Sequence, residues 1–93
     1  PLVARVARLI RERPELRVAE AVRAAGVARS GLQRRFQRAL GRGLLAEILR
    51  VRLVRARALL AGTDLKLEAV AERCGFASVQ RFSAQFSRAE GMP

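Results

Sequence analysis

The chain has no histidine, tryptophan or tyrosine, and among its 93 residues it has one cysteine, Cys74, one aspartate, Asp64, and one lysine, Lys66. Most of the side chains that act as general acids or bases, as nucleophiles or as metal ligands are therefore missing. This composition excludes the usual constellations of an active site or a metal centre. We expect a protein that is not an enzyme and that holds no metal or other cofactor.

The single cysteine also bears on the cellular compartment. A lone cysteine cannot form a disulfide within its own chain, and small secreted domains usually carry several cysteines. The composition therefore favours the reducing cytosol, and we interpret Cys74 as a small buried hydrophobic residue.

Long apolar runs are absent as well. No stretch approaches the ~18 residues that a helix needs to cross a bilayer. Arginine interrupts the opening segment, residues 1–6, so that it does not read as a signal peptide, and the chain begins at Pro1 without an initiator methionine. We expect the chain to be a piece of a longer protein.

Positive charge is what the chain has in excess. Lysine and arginine total 19 against 8 aspartates and glutamates, a formal net charge of +11, and every cation except Lys66 is an arginine. Such a charge attracts polyanions, and the planar arginine fork pairs with phosphate oxygens and guanine edges through two hydrogen bonds. A GC-rich genome would explain the choice of arginine over lysine, but it would not explain the excess of cations over anions.

Apolar residues recur at helical spacing along the chain, and no strand-like alternation of useful length is present. Pro14 ends the first helical segment, and glycines end the others. The predicted helices cover residues 2–13, 18–25, 29–40, 44–61 and 66–74, with a sixth between Ser78, a suitable N-cap, and Gly91. In the long fourth helix the spacing predicts burial of Leu45, Ile48, Leu49, Val54, Leu59 and Leu60. We therefore predict an all-α fold.

The pattern of the second and third helices occurs twice. The matched positions are Val18, Val22, Gly26, Leu32, Phe36 and Gly41 in the first copy, and Leu67, Ala71, Gly75, Phe82, Phe86 and Gly91 in the second. The offset is 49 residues at the glycine turn and 50 at the large apolar residues, so the second turn is one residue longer. The large apolar residues stand four apart, which predicts that they belong to the core: Leu32, Phe36, Phe82 and Phe86.

A short helix, a glycine turn and a second, strongly polar helix form the plan of a helix-turn-helix unit, whose second helix enters the major groove of DNA. Helical hairpins in bundles also use glycine turns, so the placement of charge carries the distinction. The predicted third helix has no acid, whereas a merely solvated helix face usually mixes both signs. Its cations are Arg29, Arg34, Arg35 and Arg38.

These residues resemble the AraC class of bacterial transcription activators, named for the arabinose-operon regulator. In the second copy the matching signature is Leu67-x-x-Val70-Ala71-x-x-x-Gly75-Phe76-Ala77-Ser78-x-x-x-Phe82-x-x-x-Phe86-x-x-x-x-Gly91-Met92-Pro93. In the fourth helix and the first copy it is Val51-Arg52-Leu53-x-x-Ala56-x-x-Leu59-Leu60 and Leu32-x-Arg34-x-Phe36-x-x-x-Leu40-Gly41.

The resemblance implies two helix-turn-helix lobes, residues 1–43 and 63–93, joined by a long central linker helix, residues 44–62. The two recognition helices are then expected to enter successive major grooves on one face of double-stranded DNA at a promoter. Transcription activation, contact with RNA polymerase and an effector-binding domain upstream of Pro1 follow from the same resemblance. We also expect a place at the nucleoid in the bacterial cytoplasm, no membrane binding, and a monomeric fragment.

The resemblance further assigns base contacts to the exposed face of each recognition helix. In the first lobe these are Ser30, Gln33 and Arg34, of which Gln33 can pair with adenine and Arg34 with guanine. In the second lobe they are Val79, Gln80, Arg81, Ser83 and Ala84. The expected phosphate contacts are Arg29, Arg35 and Arg38 in the first lobe and Ser78 and Arg88 in the second.

Two positions depart from the family pattern. Ala84 stands where a basic residue is frequent, so the second lobe is expected to read fewer bases or to use thymine-methyl contact through Val79. Arg81 and Arg88 would then contact the phosphate backbone of the DNA instead. Ala28 stands where a serine or threonine N-cap is frequent, which costs the third helix about 1 kcal/mol unless Ser30 caps a shortened helix. In that case Ser30 would be a poor base reader.

Other interpretations of the charge stay open at this point. A sequence-independent basic nucleic-acid binder would be indifferent to base sequence and would bind RNA as well as DNA. An interaction bundle with no nucleic-acid role would make the charge incidental. The fourth helix, with four arginines against Glu47 alone, would also suit an anionic membrane, but bridging two apolar lobes explains its pattern.

Overall fold

In the computed structural model, which describes residues 1–91, the chain forms six α-helices and no strand across that range. The helices are α1 (Leu2–Glu12), α2 (Val18–Ala25), α3 (Arg29–Leu40), α4 (Leu44–Gly62), α5 (Leu67–Arg73) and α6 (Val79–Glu90). The predicted all-α fold is confirmed, and every helix begins and ends within one residue of its predicted bounds. Met92 and Pro93, the end of the family-like signature, lie outside the described residues.

A glycine in the left-handed backbone region follows the short helix of each copy of the repeat. Gly26 has a φ of 71° and Gly75 a φ of 89°. Side chains with a Cβ rarely adopt this conformation, whereas glycine adopts it at little cost. The turn predicted after each short helix is confirmed, and its backbone conformation explains why glycine stands at both positions.

The two longer helices of the repeat begin with different N-caps. Ala28 is the N-cap of α3 and offers no side-chain acceptor, so Ser30 lies inside the helix and does not cap a shortened one. Ser78 is the N-cap of α6, and its Oγ accepts a hydrogen bond from the Arg81 N–H at 3.1 Å. The predicted N-cap role of Ser78 is confirmed, and the first turn of α3 lacks the equivalent bond.

This difference predicts opposite effects of two substitutions. Ala28→Ser is expected to raise the free energy of unfolding by about 0.5–2 kcal/mol, because the new hydroxyl accepts a bond from the first turn of α3. Ser78→Ala is expected to lower it by a similar amount in α6. Urea unfolding followed by circular dichroism measures both, and a lower stability of Ala28→Ser would contradict the cap assignment.

The chain divides into two compact units, Pro1–Val51 and Arg52–Pro93, which we call the first and second units. The boundary falls within α4, a single helix of 19 residues. Each unit therefore contains one copy of the repeat together with its own part of α4.

The core of the first unit is built from α1, α2, α3 and the start of α4. Leu32 and Phe36, the two residues predicted to anchor the recognition helix, are completely buried there, as is Leu44 at the start of α4. The remaining buried members of this cluster are Val6, Ile10, Leu16, Ala21, Ala25, Ile48 and Val51.

The core of the second unit is organised around Phe82. Its ring centre lies 5.3 Å from that of Phe76 and 5.5 Å from that of Phe86, both in tilted geometry. Phe82 is buried as predicted, whereas Phe86 is half-buried and packs on it from the side. Cys74 is fully buried, and burial raises the pKa of its thiol, an effect that the nearby Arg55 charge partly offsets. The interpretation of Cys74 as a buried hydrophobic residue is confirmed.

The predicted buried face of α4 is wrong in part. Ile48 is buried, but Leu45, Val54 and Leu60 are exposed. The residues of α4 that are buried instead include Leu44, Val51, Leu53 and Ala56. Apolar residues occupy all sides of this helix, so their spacing selects no single face.

Candidate nucleic-acid interface

Helix α3 packs against α1 and α2 through Leu32 and Phe36, which leaves its opposite side at the surface. Because residues four apart lie on the same face of a helix, Ser30, Arg34 and Arg38 form one exposed stripe along α3. We call this the α3 stripe. Two of the three predicted first-lobe base contacts, Ser30 and Arg34, therefore lie side by side at the surface.

The arginines of α3 place positive charge at the surface. All four of its arginines are exposed, and within residues 1–91 none of them has an ion-pair partner. Of these four, Arg34 was predicted to contact a base, and Arg29, Arg35 and Arg38 were predicted to contact phosphates. An uncompensated cationic helix surface of this kind suits a polyanionic ligand.

Gln33, the third predicted base contact of this lobe, has a different environment. It is half-buried, and its Oε1 accepts a hydrogen bond from the backbone N–H of Leu44 at 2.7 Å. Leu44 is the first residue of α4, where the N–H groups have no partner within the helix. A Cβ at Gly43 would lie 3.1 Å from the same oxygen, so the turn packs tightly around it. Gln33 thus braces the start of α4 against the flank of α3.

This brace predicts how two substitutions at one position will differ. Gln33→Met removes the acceptor while keeping a side chain of similar length, and it is expected to cost about 0.5–2 kcal/mol of unfolding free energy, as the loss of a helix cap does. Gln33→Glu keeps an acceptor and is expected to unfold at nearly the urea concentration of the wild type. Equal stability of Gln33→Met and the wild type would mean that the bond contributes nothing.

A second cluster lies in the first turns of α4. The side chain of Glu47 is only 3% exposed, and its carboxylate accepts three hydrogen bonds from two guanidinium groups. Arg42 Nη1 donates to Oε1 at 2.8 Å, and Arg50 donates from Nε to Oε1 and from Nη2 to Oε2, both at 2.9 Å. The Arg50 hydrogen bonds lower the pKa of Glu47 most, the Arg42 bond adds to this, and burial opposes it. The same contact raises the pKa of Arg50.

The lowered pKa of Glu47 predicts a loss of stability in acid. The carboxylate stabilises the fold fully above its ordinary pKa of 4.5, and this contribution is lost as the pH falls from there through the lower pKa of the folded state. Urea unfolding between about pH 3 and about pH 6 is expected to show a steeper acid loss for the wild type than for Glu47→Gln. Parallel losses in the two proteins would contradict the prediction.

In the second unit, α5 packs against α6, and Phe82 anchors α6 in the core. Of the predicted base contacts on α6, four are exposed and Val79 is half-buried beside the core. The exposed ones are Gln80, Arg81, Ser83 and Ala84. Among the predicted phosphate contacts, Arg88 is exposed and Ser78 is half-buried, with its oxygen engaged as the helix cap.

The exposed stripe of α6 matches that of α3 position by position. Gln80, Ala84 and Arg88 lie four apart on the exposed side, which we call the α6 stripe. With the offset of 50 residues, they correspond in order to the three residues of the α3 stripe. The middle position is an arginine in α3 and an alanine in α6, so the α6 stripe has one guanidinium fewer.

Charge divides unequally between the two units. Residues 1–51 contain 12 arginines against four glutamates, a net charge of +8, whereas residues 52–93 contain seven cations against four acids, a net charge of +3. The first unit is therefore expected to contribute more to the attraction of a polyanion.

Several arginines of α4 are engaged within their own unit. The Arg52 guanidinium lies 5.6 Å from the centre of the Phe76 ring, and Arg57 Nε donates to Glu90 Oε1 at 2.6 Å. The Glu90 carboxylate neutralises one charge of α4, whereas Arg52 keeps its charge while it packs on the ring. Among the helices of residues 1–91, none has the length and hydrophobicity of a membrane span. The same residues contain no group of three or more cysteine, aspartate and glutamate side chains placed to hold a metal ion.

A family model and a curated relative each match most of this chain. A family model described as "Helix-turn-helix domain" matches residues 21–93. The xylose operon regulatory protein of Escherichia coli (strain K12) is 34% identical over 74 residues, which make up 80% of this chain and 19% of that protein. The chain thus spans about a fifth of the length of the curated relatives that it matches.

Solved structures agree with the sequence matches. A transcriptional regulator from Chromobacterium violaceum, described by its AraC-type DNA-binding domain, superposes with a TM-score of 0.87 at 29% identity, covering 99% of this chain and 84% of that chain. The DNA-binding domain of the global transcriptional factor AdpA, solved in complex with a target DNA, superposes with a TM-score of 0.82 at 28% identity, covering 98% and 80%.

Proposed function

Because this chain belongs to the AraC family of helix-turn-helix transcription regulators, we propose that it binds a promoter sequence in double-stranded DNA and reads its bases from α3 and α6. The observation that carries the proposal is the α3 stripe, an exposed row of polar and cationic side chains directly opposite two fully buried anchors. A helix held in this way presents its outer side chains to the major groove.

The first unit is the main reader in this proposal. Arg34 donates two hydrogen bonds to guanine. Ser30, whose side chain does not serve as the N-cap of α3, contacts the neighbouring base. Arg29, Arg35 and Arg38 bind phosphates on either side. Gln33 acts as the brace of α4, and its base contact requires the amide to share or leave the Leu44 N–H.

The second unit adds a weaker reading. Gln80 and Arg81 are the polar groups available for bases on α6, and Val79, Ser83 and Ala84 provide apolar or small contacts. Ser78 and Arg88 contact the phosphate backbone of the DNA. Two copies of one unit on a single chain support binding to successive major grooves of one duplex, with the first unit supplying most of the charge.

Other parts of the role follow from the family. We propose activation of transcription through contact with RNA polymerase, under the control of an effector-binding domain elsewhere in the full-length protein. The domain then works as a monomeric binding module, without catalysis, at the nucleoid in the bacterial cytoplasm.

An anisotropy titration tests the core of the proposal. The protein is titrated into labelled duplex DNA from the region upstream of its gene, with a scrambled duplex and a duplex RNA of equal length as competitors. We expect the upstream duplex to bind most tightly, and nuclease protection on that duplex to show a footprint of about 20 base pairs, two turns of DNA. Equal binding of all three would instead indicate a sequence-independent basic binder, and no binding at low salt would indicate a bundle without a nucleic-acid role.

A further inference from the structure

The cluster formed by Arg42, Glu47 and Arg50 places two guanidinium groups on one buried carboxylate. We propose that Arg42 and Arg50, held in place by the buried Glu47 carboxylate, form a clamp for one backbone phosphate of the bound DNA, beside α3. The inference rests on the proposed function, since it assigns a further contact to the same DNA complex. Neither arginine belongs to the recognition helices.

The first argument is the direction of burial. Glu47 is enclosed, whereas the side chains of its partners, Arg42 and Arg50, are 38% and 46% exposed. The carboxylate therefore lies beneath the protein surface, and the guanidinium groups reach that surface. A guanidinium has five N–H donors, of which Arg42 spends one and Arg50 two on the carboxylate. The unused donors are available to a ligand with several acceptor oxygens.

The second argument is charge. One carboxylate faces two guanidinium groups, so the cluster keeps a net charge of +1 at its surface. Arg50 alone already pairs with both Glu47 oxygens, and Arg42 is therefore the surplus cation. A phosphate group supplies the missing negative charge and accepts bonds in the planar geometry that arginine favours.

The third argument is position. The Gln33 bond to the Leu44 N–H fixes the start of α4 on one flank of α3, next to the α3 stripe. Arg42 follows two residues after the end of α3, in the turn that leads into α4. A helix in the major groove, about 12 Å wide, has a phosphate backbone along each flank. A cation on the flank of α3 is therefore near one of these backbones.

The fourth argument is preorganisation. A long arginine side chain on a surface loses rotamer freedom when it binds, and this loss weakens the contact. Glu47 removes part of that freedom in advance, because its oxygens already orient both guanidinium groups. The buried acid in this view is a positioning residue for the two arginines.

The salt dependence of DNA binding tests the clamp, since each neutralised phosphate adds about 0.9 to the slope of log affinity against log salt. Arg42→Gln, with Arg50 still paired to Glu47, is expected to lower that slope by about one on both the upstream and the scrambled duplex. Arg42→Lys keeps the charge and is expected to retain the wild-type slope. Arg8→Gln on α1 removes one exposed charge away from the cluster and is the matched control.

The outcomes separate the clamp from the proposed function. A slope for Arg42→Gln equal to that of Arg8→Gln would overturn the clamp, whatever the sequence preference of the wild type. Equal wild-type binding of upstream and scrambled duplexes would overturn promoter reading, while the slopes still decide on the clamp. Circular dichroism checks that each variant is folded. If Arg42→Gln does not fold, Arg50→Gln, which leaves the Arg42 pair intact, provides the same test.

Discussion

Phe36→Ala is expected to lower the free energy of unfolding by about 3–5 kcal/mol, because the ring is completely buried and its removal leaves a cavity. Phe36 belongs to the cluster that joins α1, α2, α3 and α4 in the first unit. Small domains have total stabilities of about 5–15 kcal/mol, so this unit would lose a large part of its stability. Urea unfolding followed by circular dichroism measures the loss, and DNA affinity is expected to fall with it.

Phe86→Ala is the matched control for that experiment. It removes the same ring from the equivalent helix of the second unit, where the side chain is only half-buried. A smaller loss of stability is expected there, because a partly exposed ring gives up less burial and leaves no closed cavity. If Phe36→Ala cost no more than Phe86→Ala, the anchoring role of Phe36 would be wrong.

Arg34→Ala is expected to reduce the preference for the upstream duplex over the scrambled one by about 5- to 150-fold, the loss of 1–3 kcal/mol that a bidentate arginine–guanine contact carries. The residue is exposed at the centre of the α3 stripe, so the substitution leaves the core intact. Binding to the scrambled duplex is expected to weaken much less, since it loses only one charge. Anisotropy titrations of both duplexes at one salt concentration measure the ratio.

Arg23→Ala controls for the change in net charge. Arg23 is exposed in the last turn of α2, outside the recognition helix. Its removal is expected to leave the ratio of the two affinities unchanged. The same ratio for Arg34→Ala and Arg23→Ala would mean that Arg34 acts only through its charge.

The helices were predictable because nearby residues in the sequence determine their ends and their buried anchor residues. Glycine follows the short helix of each copy and adopts a positive φ at both places. Large apolar residues four apart mark the core side of α3 and α6, although Phe86 is only half-buried. These signals depend on neighbouring residues alone. The face of α4 was not predictable in the same way, because Leu44 and Leu45 are equally apolar and only packing decides that Leu44 is buried and Leu45 exposed.

The candidate site shows the same division. The exposure of Ser30 and Arg34 follows from their helical position opposite the core, so spacing alone finds them. The bond from the Leu44 N–H to Gln33 joins residues 11 apart in different helices, and no local pattern indicates it. From the sequence, a glutamine on a recognition helix predicts adenine contact whether its side chain is free at the surface or bonded within the protein.

Arg42 and Glu47 were missed as a pair for a related reason. Glu47 is the only acid between residues 42 and 62, three positions before Arg50, and this spacing is a recognisable signal for an ion pair on one helix. Its burial and the approach of Arg42 from the preceding turn depend on how the start of α4 packs within the first unit. The sequence alone therefore indicates the pair with Arg50 and not the three-residue cluster.

The unbroken α4 also bears on the order in which the chain folds. Starting a helix is costly because several residues must be ordered before the first hydrogen bond forms, whereas extending one adds a bond for each residue ordered. Val51 and Arg52, the last residue of one unit and the first of the next, are consecutive within this helix. The unit that folds second thus extends an existing helix end and does not have to nucleate its share of α4 anew.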